Sequence, residues 1–368
     1  MKNVYVCDQF GAGSLYSGPG NYFVNLINAN PNNKYSFHLV HGNKSQKKST
    51  AFDCNHYVSD SGSRVKDLIY SLKVKKLISN TNIDIIQTTH SYLGSISAAE
   101  AGIKNNIPTY LRIAKSKSEL VDRNFVAKFL NLSKKKLDVI NASDGVVAIS
   151  KEIENELLSL GVSEEKIRYI PNGVDLARFN IDSISKDFKF PFSKDCRAIG
   201  FCGALIERKR PHLLLESLKK LPEEYVACFI GPYDDSPYVQ NMMNYINDNG
   251  LSQRVHFTGY ISNPESYLTY CDYFCLPSMN EGMPNALLEA MACKCIPIST
   301  DISGVTDIIT DDNVGFIVKP TANDISDVIL STCSEQAQLS NAAYNKIATS
   351  FSATVAFQKY IDMYEGNL

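Results

Sequence analysis

Two glutamates, Glu281 and Glu289, stand eight residues apart in a stretch that passes from a turn into a good helix former. The open N–H groups and the dipole of a first helical turn attract a phosphate, and Gly282 allows the backbone to approach a ligand closely. A carboxylate in contact with a phosphate would be repelled, so each glutamate is expected to accept hydrogen bonds from sugar hydroxyls. Two hydroxylated rings that flank a diphosphate describe a nucleotide-sugar. An ordinary α/β turn with surface glutamates has the same spacing, and the spacing alone does not separate the two interpretations.

A strand and a helix must position these glutamates. The strand-like run Tyr273–Pro277 comes before the turn, and Asn285–Met291 carries helical propensity. Pro284 is expected at the first helical position, because its ring fixes φ and an N–H group there would have no partner within the helix. Glu281 is therefore predicted in the turn, and Glu289 about a turn and a half into the helix.

A pair of cations, Arg208 and Lys209, follows another predicted strand and its glycine, Ala198–Gly203, and precedes a predicted helix, His212–Lys220. Two adjacent cations can neutralise a diphosphate as its bond to a sugar breaks. The alternative is a plain basic start of a helix, which is disfavoured because cations stabilise helix C-termini.

A glycine-rich loop, Gly11–Gly20, joins a predicted first strand, Lys2–Asp8, to a predicted helix, Tyr22–Ala29. Strand, glycine loop and helix in this order present backbone N–H groups to a phosphate, although glycines at such a junction are often only a turn. Strands and helices continue to alternate after this helix. His90 is predicted at the carboxyl end of a strand, where ligands gather in open α/β sheets, with a core or surface histidine as the alternative.

The segment E-G-M-P-N-A-L-L-E-A-M-A, residues 281–292, resembles the E-x7-E signature of retaining glycosyltransferase family 4, which has the GT-B fold. The flanking strand, the Gly-x-Pro and the Leu-Leu-Glu-Ala-Met-Ala run fit the signature as well as the two acids do. The likeness spans nearly the whole chain. It implies an α/β GT-B architecture, in which two doubly wound Rossmann-like domains face each other across a cleft. Residues 1–180 are then expected to bind the acceptor and residues 181–350 the nucleotide-sugar, with the helix 351–368 packed back on the first domain.

The resemblance implies a retaining hexosyltransferase that moves a sugar from a nucleotide-sugar to a hydroxyl acceptor, such as a lipid-linked or surface-polysaccharide intermediate. Glu281, Arg208 and Lys209 are the expected catalytic residues: Glu281 orients the sugar, and the cations take the charge of the leaving diphosphate. No Asp-x-Asp motif is present, so no metal and no cofactor are expected, and a UDP-sugar is expected as donor rather than a GDP-sugar. The donor-binding residues that the resemblance implies are Glu289, Gly282, Met283, Pro284, Asn285, Gly203, Gly231, Ile261, Gly18 and Gly20.

Several positions add to the family pattern or depart from it. Lys115 and Lys117 stand where many resembling enzymes have a histidine that points at the donor sugar. Either lysine could supply a cation to the leaving phosphate, and a solvated lysine is the alternative. Asn172, in the run P-N-G-V-D, matches a turn that closes the first domain in the family. Ala204 replaces the basic residue that usually follows the glycine, and Arg208 is the candidate substitute.

Two other functions are compatible with the sequence. One is a sugar-nucleotide epimerase of the same fold, which would turn over the donor without an acceptor. The other is a non-catalytic nucleotide-sugar-binding protein, which the lysines at 115 and 117 and Ala204 would suit.

The composition bounds the class of protein. A hydrophobic content of 44% and a charged content of 21% describe a globular protein whose 368 residues suit two domains. No run of eighteen apolar residues occurs, and the N-terminus is predicted as a strand rather than a signal peptide. The ten cysteines form no C-x-x-C pair, which predicts reduced thiols, no disulfide and no zinc site in a cytoplasmic protein.

Charge is shared unevenly along the chain. Residues 1–180 hold 23 Lys and Arg against 16 Asp and Glu, a net charge of +7, and the remainder holds 14 against 23. A basic amphipathic helix is predicted over Ser63–Ser79, and residues 115–136 form a second basic segment with interleaved apolar residues. Chance drift or a solvated helical face would explain this distribution. The sharper hypothesis is a basic first half that faces an anionic acceptor or an anionic membrane surface. No base-reading motif supports a nucleic-acid partner.

Overall fold

The computed structural model describes residues 1–11, 18–30, 34–44, 51–116, 119–120 and 132–368. The chain divides into two compact units. Unit 1 comprises residues 1–173 and 353–368, and unit 2 comprises residues 174–352. The predicted basic segment 115–136 lies mostly outside the described residues.

Unit 1 is a parallel sheet with helices on its faces. Within the described residues its strand order is β3-β2-β1-β4-β5-β6-β7. The strands are β1 (Lys2–Asp8), β2 (Tyr35–His41), β3 (Cys54–Tyr57), β4 (Ile85–Thr88), β5 (Thr109–Ile113), β6 (Gly145–Ala148) and β7 (Ile167–Tyr169). The helices that alternate with them are α1 (Gly18–Asn28), α2 (Arg64–Ser79), α3 (Leu93–Lys104), α4 (Leu132–Ala142) and α5 (Lys151–Ser159).

Unit 2 repeats this architecture with the strand order β10-β9-β8-β11-β12-β13. Its strands are β8 (Arg197–Cys202), β9 (Tyr225–Ile230), β10 (Val255–Gly259), β11 (Tyr273–Leu276), β12 (Ile296–Thr300) and β13 (Phe316–Val318). Its helices are α6 (His212–Leu218), α7 (Pro237–Asp248), α8 (Glu265–Leu268), α9 (Asn285–Ala292), α10 (Val305–Ile308), α11 (Ala322–Ser331) and α12 (Gln336–Ser350).

The last helix, α13 (Ala353–Glu365), returns to unit 1. Its Tyr360 ring contacts Phe23 of α1 with 5.3 Å between the ring centroids. Its Tyr364 hydroxyl donates a 3.0 Å hydrogen bond to Oε1 of Gln87 in β4. The aromatic face of the helix is therefore part of the unit 1 core.

Each unit has its own apolar core because its central strands are buried on both faces. Every residue of β4 and of β9 is buried, as expected for parallel strands covered by helices on both sides. In both sheets the strand order reverses beside the first strand of the unit, between β1 and β4 and between β8 and β11. The prediction of two doubly wound Rossmann-like domains is confirmed.

Two predicted helix starts are wrong by one or more residues. Helix α9 begins at Asn285, and Pro284 is its N-cap in an extended conformation rather than its first helical residue. Helix α1 begins at Gly18 instead of Tyr22, so Gly18 and Gly20 lie in its first turn. Glycine and proline mark a boundary in the sequence, but tertiary packing decides on which side of the mark the helix begins.

The helix predicted over Ser63–Ser79 is present as α2, but it is apolar on two faces. Tyr70, Val74 and Ile78 are buried against unit 1. Val65 and Leu72 are 69% and 65% exposed, and Leu68 and Ile69 between them are exposed as well. A single apolar stripe, as in an ordinary amphipathic helix, does not describe it.

Candidate active site

The carboxyl edge of the unit 2 sheet collects the predicted donor-site residues. Strands β8, β9, β10 and β11 are parallel, and their carboxyl ends are followed by Gly203, Gly231, Ile261 and Glu281, respectively. Arg208 and Lys209 come after β8, and Glu281 comes after β11, which is the neighbour of β8 where the strand order reverses. Such a topological switch point is where open α/β sheets bind ligands.

The Glu281 carboxylate lies between the two predicted cations. Its Oε1 is 3.1 Å from Nη1 of Arg208 and 3.2 Å from Nζ of Lys209, and its side chain is 17% exposed. The hydroxyl of Ser278 donates a further hydrogen bond of 3.4 Å to the same oxygen. The structure thus brings together the three residues predicted to be catalytic, and the group carries one net positive charge.

Backbone contacts fix the cations to the glutamate turn. The N–H of Met279 donates to the carbonyl oxygen of Arg208 over 2.8 Å. Arg208 Nη1 also donates to the carbonyl oxygen of Asn280, which precedes Glu281. The segment after β8 and the turn after β11 therefore hold each other through both main chain and side chain.

Gly203 and Gly231 are required by close packing. Gly203 has a φ of +143°, and a Cβ there would lie 2.8 Å from Nζ of Lys209, so the lysine lies across this strand end. Gly231 has a φ of +139°, and a Cβ there would lie 2.4 Å from the carbonyl oxygen of Gly203. A side chain at either position would displace the backbone or the lysine that reaches Glu281.

The residues after Glu281 rest on the turn that follows β12. Gly282 and Met283 are buried. Gly304 has a φ of +78°, and a Cβ there would lie 2.9 Å from the carbonyl oxygen of Gly282. Pro284 provides no side-chain cap, so the N-terminus of α9 at Asn285 keeps its positive dipole end close to the glutamate turn.

Glu289 has an unusual electrostatic environment. Its side chain is half-buried, and burial raises the pKa of its carboxyl to about 7, while nearby Arg178 and Lys209 act in the opposite direction. Glu265 adds to the upward shift of this pKa. At neutral pH this carboxyl is therefore divided between its protonated and ionised forms.

Arg178 and Glu265 belong to this environment and were not predicted from the sequence. Nη2 of Arg178 lies 3.0 Å from Oε2 of Glu265 and donates to the carbonyl oxygen of Ser262 over 2.8 Å. Ser262 directly follows the half-buried Ile261, so Arg178 is anchored on the turn that carries this predicted donor-binding residue. The pair joins residues 87 positions apart, and no local motif marks either partner.

In unit 1, His90 lies at the corresponding switch point, between β1 and β4. It is 1% exposed, and its Nε2 lies 3.6 Å from Oδ1 of Asp8 at the end of β1. The backbone N–H of Tyr92 donates to His90 Nδ1 over 3.3 Å, so a neutral imidazole carries its proton on Nε2, toward Asp8. Asp8 also accepts hydrogen bonds from the N–H groups of Phe10 and Gly11. The sequence did not indicate Asp8.

The other predicted residues of unit 1 have different environments. Asn172 is buried, and its Oδ1 accepts a hydrogen bond from the buried guanidinium of Arg112. Arg112 also donates to the carbonyl oxygen of Thr89 over 3.0 Å, which makes Asn172 part of an internal polar network. Lys115 is exposed just after β5, and Lys117 lies outside the described residues. Gly20 is buried in the first turn of α1.

Comparison with known proteins gives matches along nearly the whole chain. Residues 182–348 match the family described as Glycosyl transferases group 1, and residues 16–178 match the family described as Glycosyltransferase Family 4. The chain is 27% identical over 320 residues to an Escherichia coli enzyme, UDP-Gal:alpha-D-GlcNAc-diphosphoundecaprenol alpha-1,3-galactosyltransferase, with 82% of this chain and 80% of the relative covered.

Two further similarities agree with these matches. Capsular polysaccharide biosynthesis glycosyltransferase CapH of Staphylococcus aureus is 27% identical over 251 residues, which cover 66% of this chain and 67% of the relative. Among solved structures, Anabaena HepE in complex with UDP is 17% identical, covers 100% of both chains and has a TM-score of 0.79.

Proposed function

The chain belongs to glycosyltransferase family 4 and has the GT-B fold, and we propose that it transfers a hexose from a UDP-sugar to a lipid-linked polysaccharide intermediate with retention of configuration. Glycosyl transfer is the activity of the protein. The epimerase and the non-catalytic alternatives are set aside, since the related proteins are named glycosyltransferases. The observation that carries the proposal is the contact of Glu281 with Arg208 and Lys209 at the switch point of the unit 2 sheet.

The donor is proposed to bind at the carboxyl edge of the unit 2 sheet. A UDP-sugar is supported by the UDP complex of HepE and by the UDP-Gal donor in the name of the Escherichia coli relative. The diphosphate would contact Arg208, Lys209 and the N-terminus of α9, the sugar would contact Glu281, and the ribose hydroxyls would contact Glu289. Gly203, Gly231 and Ile261 would shape the edge on which the nucleotide lies.

The ion pairs explain how a carboxylate can stand beside a diphosphate. An isolated carboxylate would repel the donor, but Glu281 is neutralised by its two cations, and the group keeps one net positive charge. The same pairs hold the long Arg208 and Lys209 side chains in place before the donor arrives. Less conformational entropy is then lost on binding.

Transfer is proposed to proceed on one face of the sugar. The bond from the anomeric carbon to the β-phosphate oxygen breaks with its electron pair, and the incoming hydroxyl oxygen bonds to the same carbon. The hydroxyl proton passes to an oxygen of the leaving phosphate. Arg208, Lys209 and the α9 dipole would stabilise the charge that develops on the diphosphate, so the proposed mechanism needs no metal ion.

The acceptor is proposed to bind unit 1, which the first predicted domain, residues 1–180, largely overlaps. The Escherichia coli relative acts on a diphosphoundecaprenol-linked sugar, and CapH is named for capsular polysaccharide biosynthesis. His90 and Asp8 at the β1/β4 switch point are the candidate contacts. Gly18 and Gly20, which the resemblance gives as donor-binding residues, lie in the first turn of α1. Lys115 is an exposed candidate cation at the end of β5.

A lipid-linked acceptor requires access to a membrane surface, and α2 is proposed to provide it. Its outward apolar residues are Val65, Leu68, Ile69 and Leu72. Lys73 and Lys76 on the same helix are exposed. Within the described residues, none of the helices is both long enough and apolar enough to cross a bilayer. We therefore propose contact with an anionic surface through this face of α2.

The test is a transfer assay on the full chain. UDP-hexoses are offered with a polyprenyl-diphosphate-linked N-acetylhexosamine, and the product is identified by mass spectrometry. Glu281→Ala should lower kcat by at least about 100-fold, because the sugar loses its orienting group and the cations lose their anchor. Glu207→Ala, which removes an exposed glutamate from the same segment as the cations, is the matched control and should leave kcat unchanged.

Thermal shift with UDP, GDP and ADP separates donor choice from transfer. UDP is expected to stabilise the wild-type chain and the Glu207→Ala variant most strongly, because a ligand that binds the native state raises its stability. Stabilisation by GDP but not UDP would overturn the proposed donor. Full transfer activity in Glu281→Ala would overturn the role given to the ion-pair group.

A further inference from the structure

We propose that His38, Cys54 and His56 in unit 1 form a binding site for a borderline-soft transition ion of the zinc class. Within the described residues, these three side chains each offer one ligand atom, and the three atoms all lie within 4.8 Å of one another. The proposal does not depend on the transferase chemistry, because none of these residues belongs to the candidate active site.

Strand register brings the three residues onto one face of the sheet. Strands β2 and β3 are parallel, and their register pairs His38 with Cys54 and Val40 with His56. Cys54 and His56 are two residues apart on β3, so their side chains leave the same face, beside that of His38. Tyr5 of β1 pairs with His38, and its ring stacks on the imidazoles of His38 and His56 at 4.6 and 5.1 Å between centroids. The stacked rings restrict the orientations of both histidines.

Hydrogen bonds fix the tautomer of His38 so that the lone pair of its Nδ1 is directed toward His56. The Ser36 hydroxyl donates its single proton to Oδ2 of Asp53 over 2.8 Å, because a carboxylate only accepts. The contact of 3.1 Å between Ser36 Oγ and His38 Nε2 must then be donated by the histidine. Neutral His38 therefore carries its proton on Nε2, and its unprotonated Nδ1 lies 3.2 Å from Nε2 of His56.

This arrangement is the outer support that metal-ligating histidines commonly have. One ring nitrogen faces the ion, and the other donates to a polar group that fixes the tautomer. Here the chain from His38 to Ser36 and on to Asp53 fulfils that role.

The donor set selects the class of ion. Two imidazole nitrogens and a thiolate suit Zn²⁺ and similar ions, whereas Mg²⁺ and Ca²⁺ prefer oxygen ligands. Nitrogen ligands of a tetrahedral zinc ion lie about 3.3 Å apart, close to the 3.2 Å between the two histidine nitrogens. The exposed Cys54 can turn its thiol inward to close the remaining distance. With three protein ligands, the fourth position would be taken by solvent.

A bound ion would tie an edge strand to the sheet. Strand β3 has four residues and lies at the end of the strand order, with β2 as its neighbour. A short edge strand has few ladder hydrogen bonds, so a cross-strand link through the ion would add to its stability. The inferred role is therefore structural.

The test uses the full chain without an affinity tag, stripped of metal with a chelator and titrated with Co²⁺ and then Zn²⁺. One equivalent of Co²⁺ should give thiolate-to-cobalt charge-transfer absorption, and Zn²⁺ should displace it and raise the Tm. Cys54→Ser should lose the charge-transfer band, and His56→Gln should weaken Co²⁺ binding by at least about tenfold. Ser36→Ala, which removes only the outer support, should weaken it by about tenfold.

Cys196→Ser is the matched control, because Cys196 is partly exposed and lies outside the group. It should keep both the band and the affinity. Circular dichroism of each stripped variant establishes that the fold is retained, and Cys54 is exposed, so its substitution should be tolerated. The proposal is overturned if wild-type protein gives no thiolate band, or if the band persists in Cys54→Ser.

Discussion

Burial raises the pKa of the Glu289 carboxyl, whereas the proposed contact with the ribose hydroxyls of the donor uses its ionised form. Its pKa of about 7 in the folded chain stands above the ordinary value of 4.5 because burial disfavours the ionised form. The folded state therefore binds more protons than the unfolded state between these values. The stability contributed by this group is present at pH 4.5 and is lost as the pH rises through about 7, by on the order of 2 kcal/mol after allowance for its partial exposure.

The affinity for the donor should change with pH in the opposite direction to the stability, because donor binding uses the ionised form of Glu289. Two ribose hydroxyls donate to a carboxylate better than to a carboxylic acid, so UDP affinity of the wild-type chain is expected to increase from pH 6 to pH 8. Glu289→Gln should bind UDP about tenfold more weakly at pH 8 and should lose this pH dependence. Calorimetric titration at a series of pH values measures both effects.

Chemical unfolding of the Glu289→Gln variant checks the direction in which the stability contribution of Glu289 changes with pH. Glu289→Gln has no carboxyl to ionise, so it should be more stable than wild type at pH 8 and should lose that advantage near pH 5. A wild-type chain whose UDP affinity is flat from pH 6 to pH 8 would contradict the role given to Glu289.

The site residues that were predictable from the sequence are marked by a local pattern, namely their position just after a strand. Glu281, Arg208 and Gly203 each follow a strand within a few positions, and parallel strands bring such positions to one edge. Arg178 and Glu265 meet across 87 positions, and their contact follows from the packed fold rather than from a motif. The group of His38, Cys54 and His56 was missed for a related reason: it depends on the register of two strands, which spacing along the chain does not reveal.

For the secondary-structure elements, it was easier to predict whether a segment is a helix or a strand than to predict which of its faces is buried. The alternation of strands and helices was evident, but α2 looked like an ordinary amphipathic helix because its lysines interrupt the apolar residues. Only the structure separates Tyr70, Val74 and Ile78, which are buried, from Leu68 and Leu72, which face outward. Because its leucines face outward, α2 is a candidate contact with a membrane surface in addition to packing within unit 1.

Replacement of Leu68 and Leu72 by serine tests this face. The double variant should lose binding to anionic vesicles of phosphatidylglycerol and phosphatidylcholine by about tenfold or more, because two exposed leucines would no longer enter the interface. Co-sedimentation at low salt measures the bound fraction. Neutral phosphatidylcholine vesicles should bind wild type weakly, since the exposed lysines would lack anionic partners.

The control for this variant is Leu330→Ser, which removes a leucine that is 44% exposed on α11 of unit 2. It should bind anionic vesicles as wild type does. Equal binding by the α2 variant and wild type would exclude α2 as the contact.

At the scale of the whole molecule, two sheets of the same topology carry separate cores joined by one chain. The repeated strand and helix pattern made this architecture predictable. The return of α13 to unit 1 places residues 353–368 with residues 1–173, and its aromatic residues complete that core. The stability of unit 1 therefore depends on the end of the chain, whereas the proposed donor site lies within residues 174–352.

This division predicts different effects for matched substitutions in the two cores. Tyr360→Ala in α13 removes a ring that is 2% exposed and packs on Phe23, which should destabilise unit 1 by about 3–5 kcal/mol. Tyr273→Ala in β11 removes the same side chain from the unit 2 core, where it is 0% exposed, and should destabilise unit 2 by a similar amount.

Hydrogen exchange with mass spectrometry can assign each loss of protection to its unit. Saturating UDP raises stability only where it binds, so it should protect unit 2 in the Tyr360→Ala variant as much as in wild type. It should protect Tyr273→Ala less, because unit 2 is then partly open. Loss of UDP protection in Tyr360→Ala would mean that nucleotide binding requires an intact unit 1, and the assignment of the donor to residues 174–352 alone would be wrong.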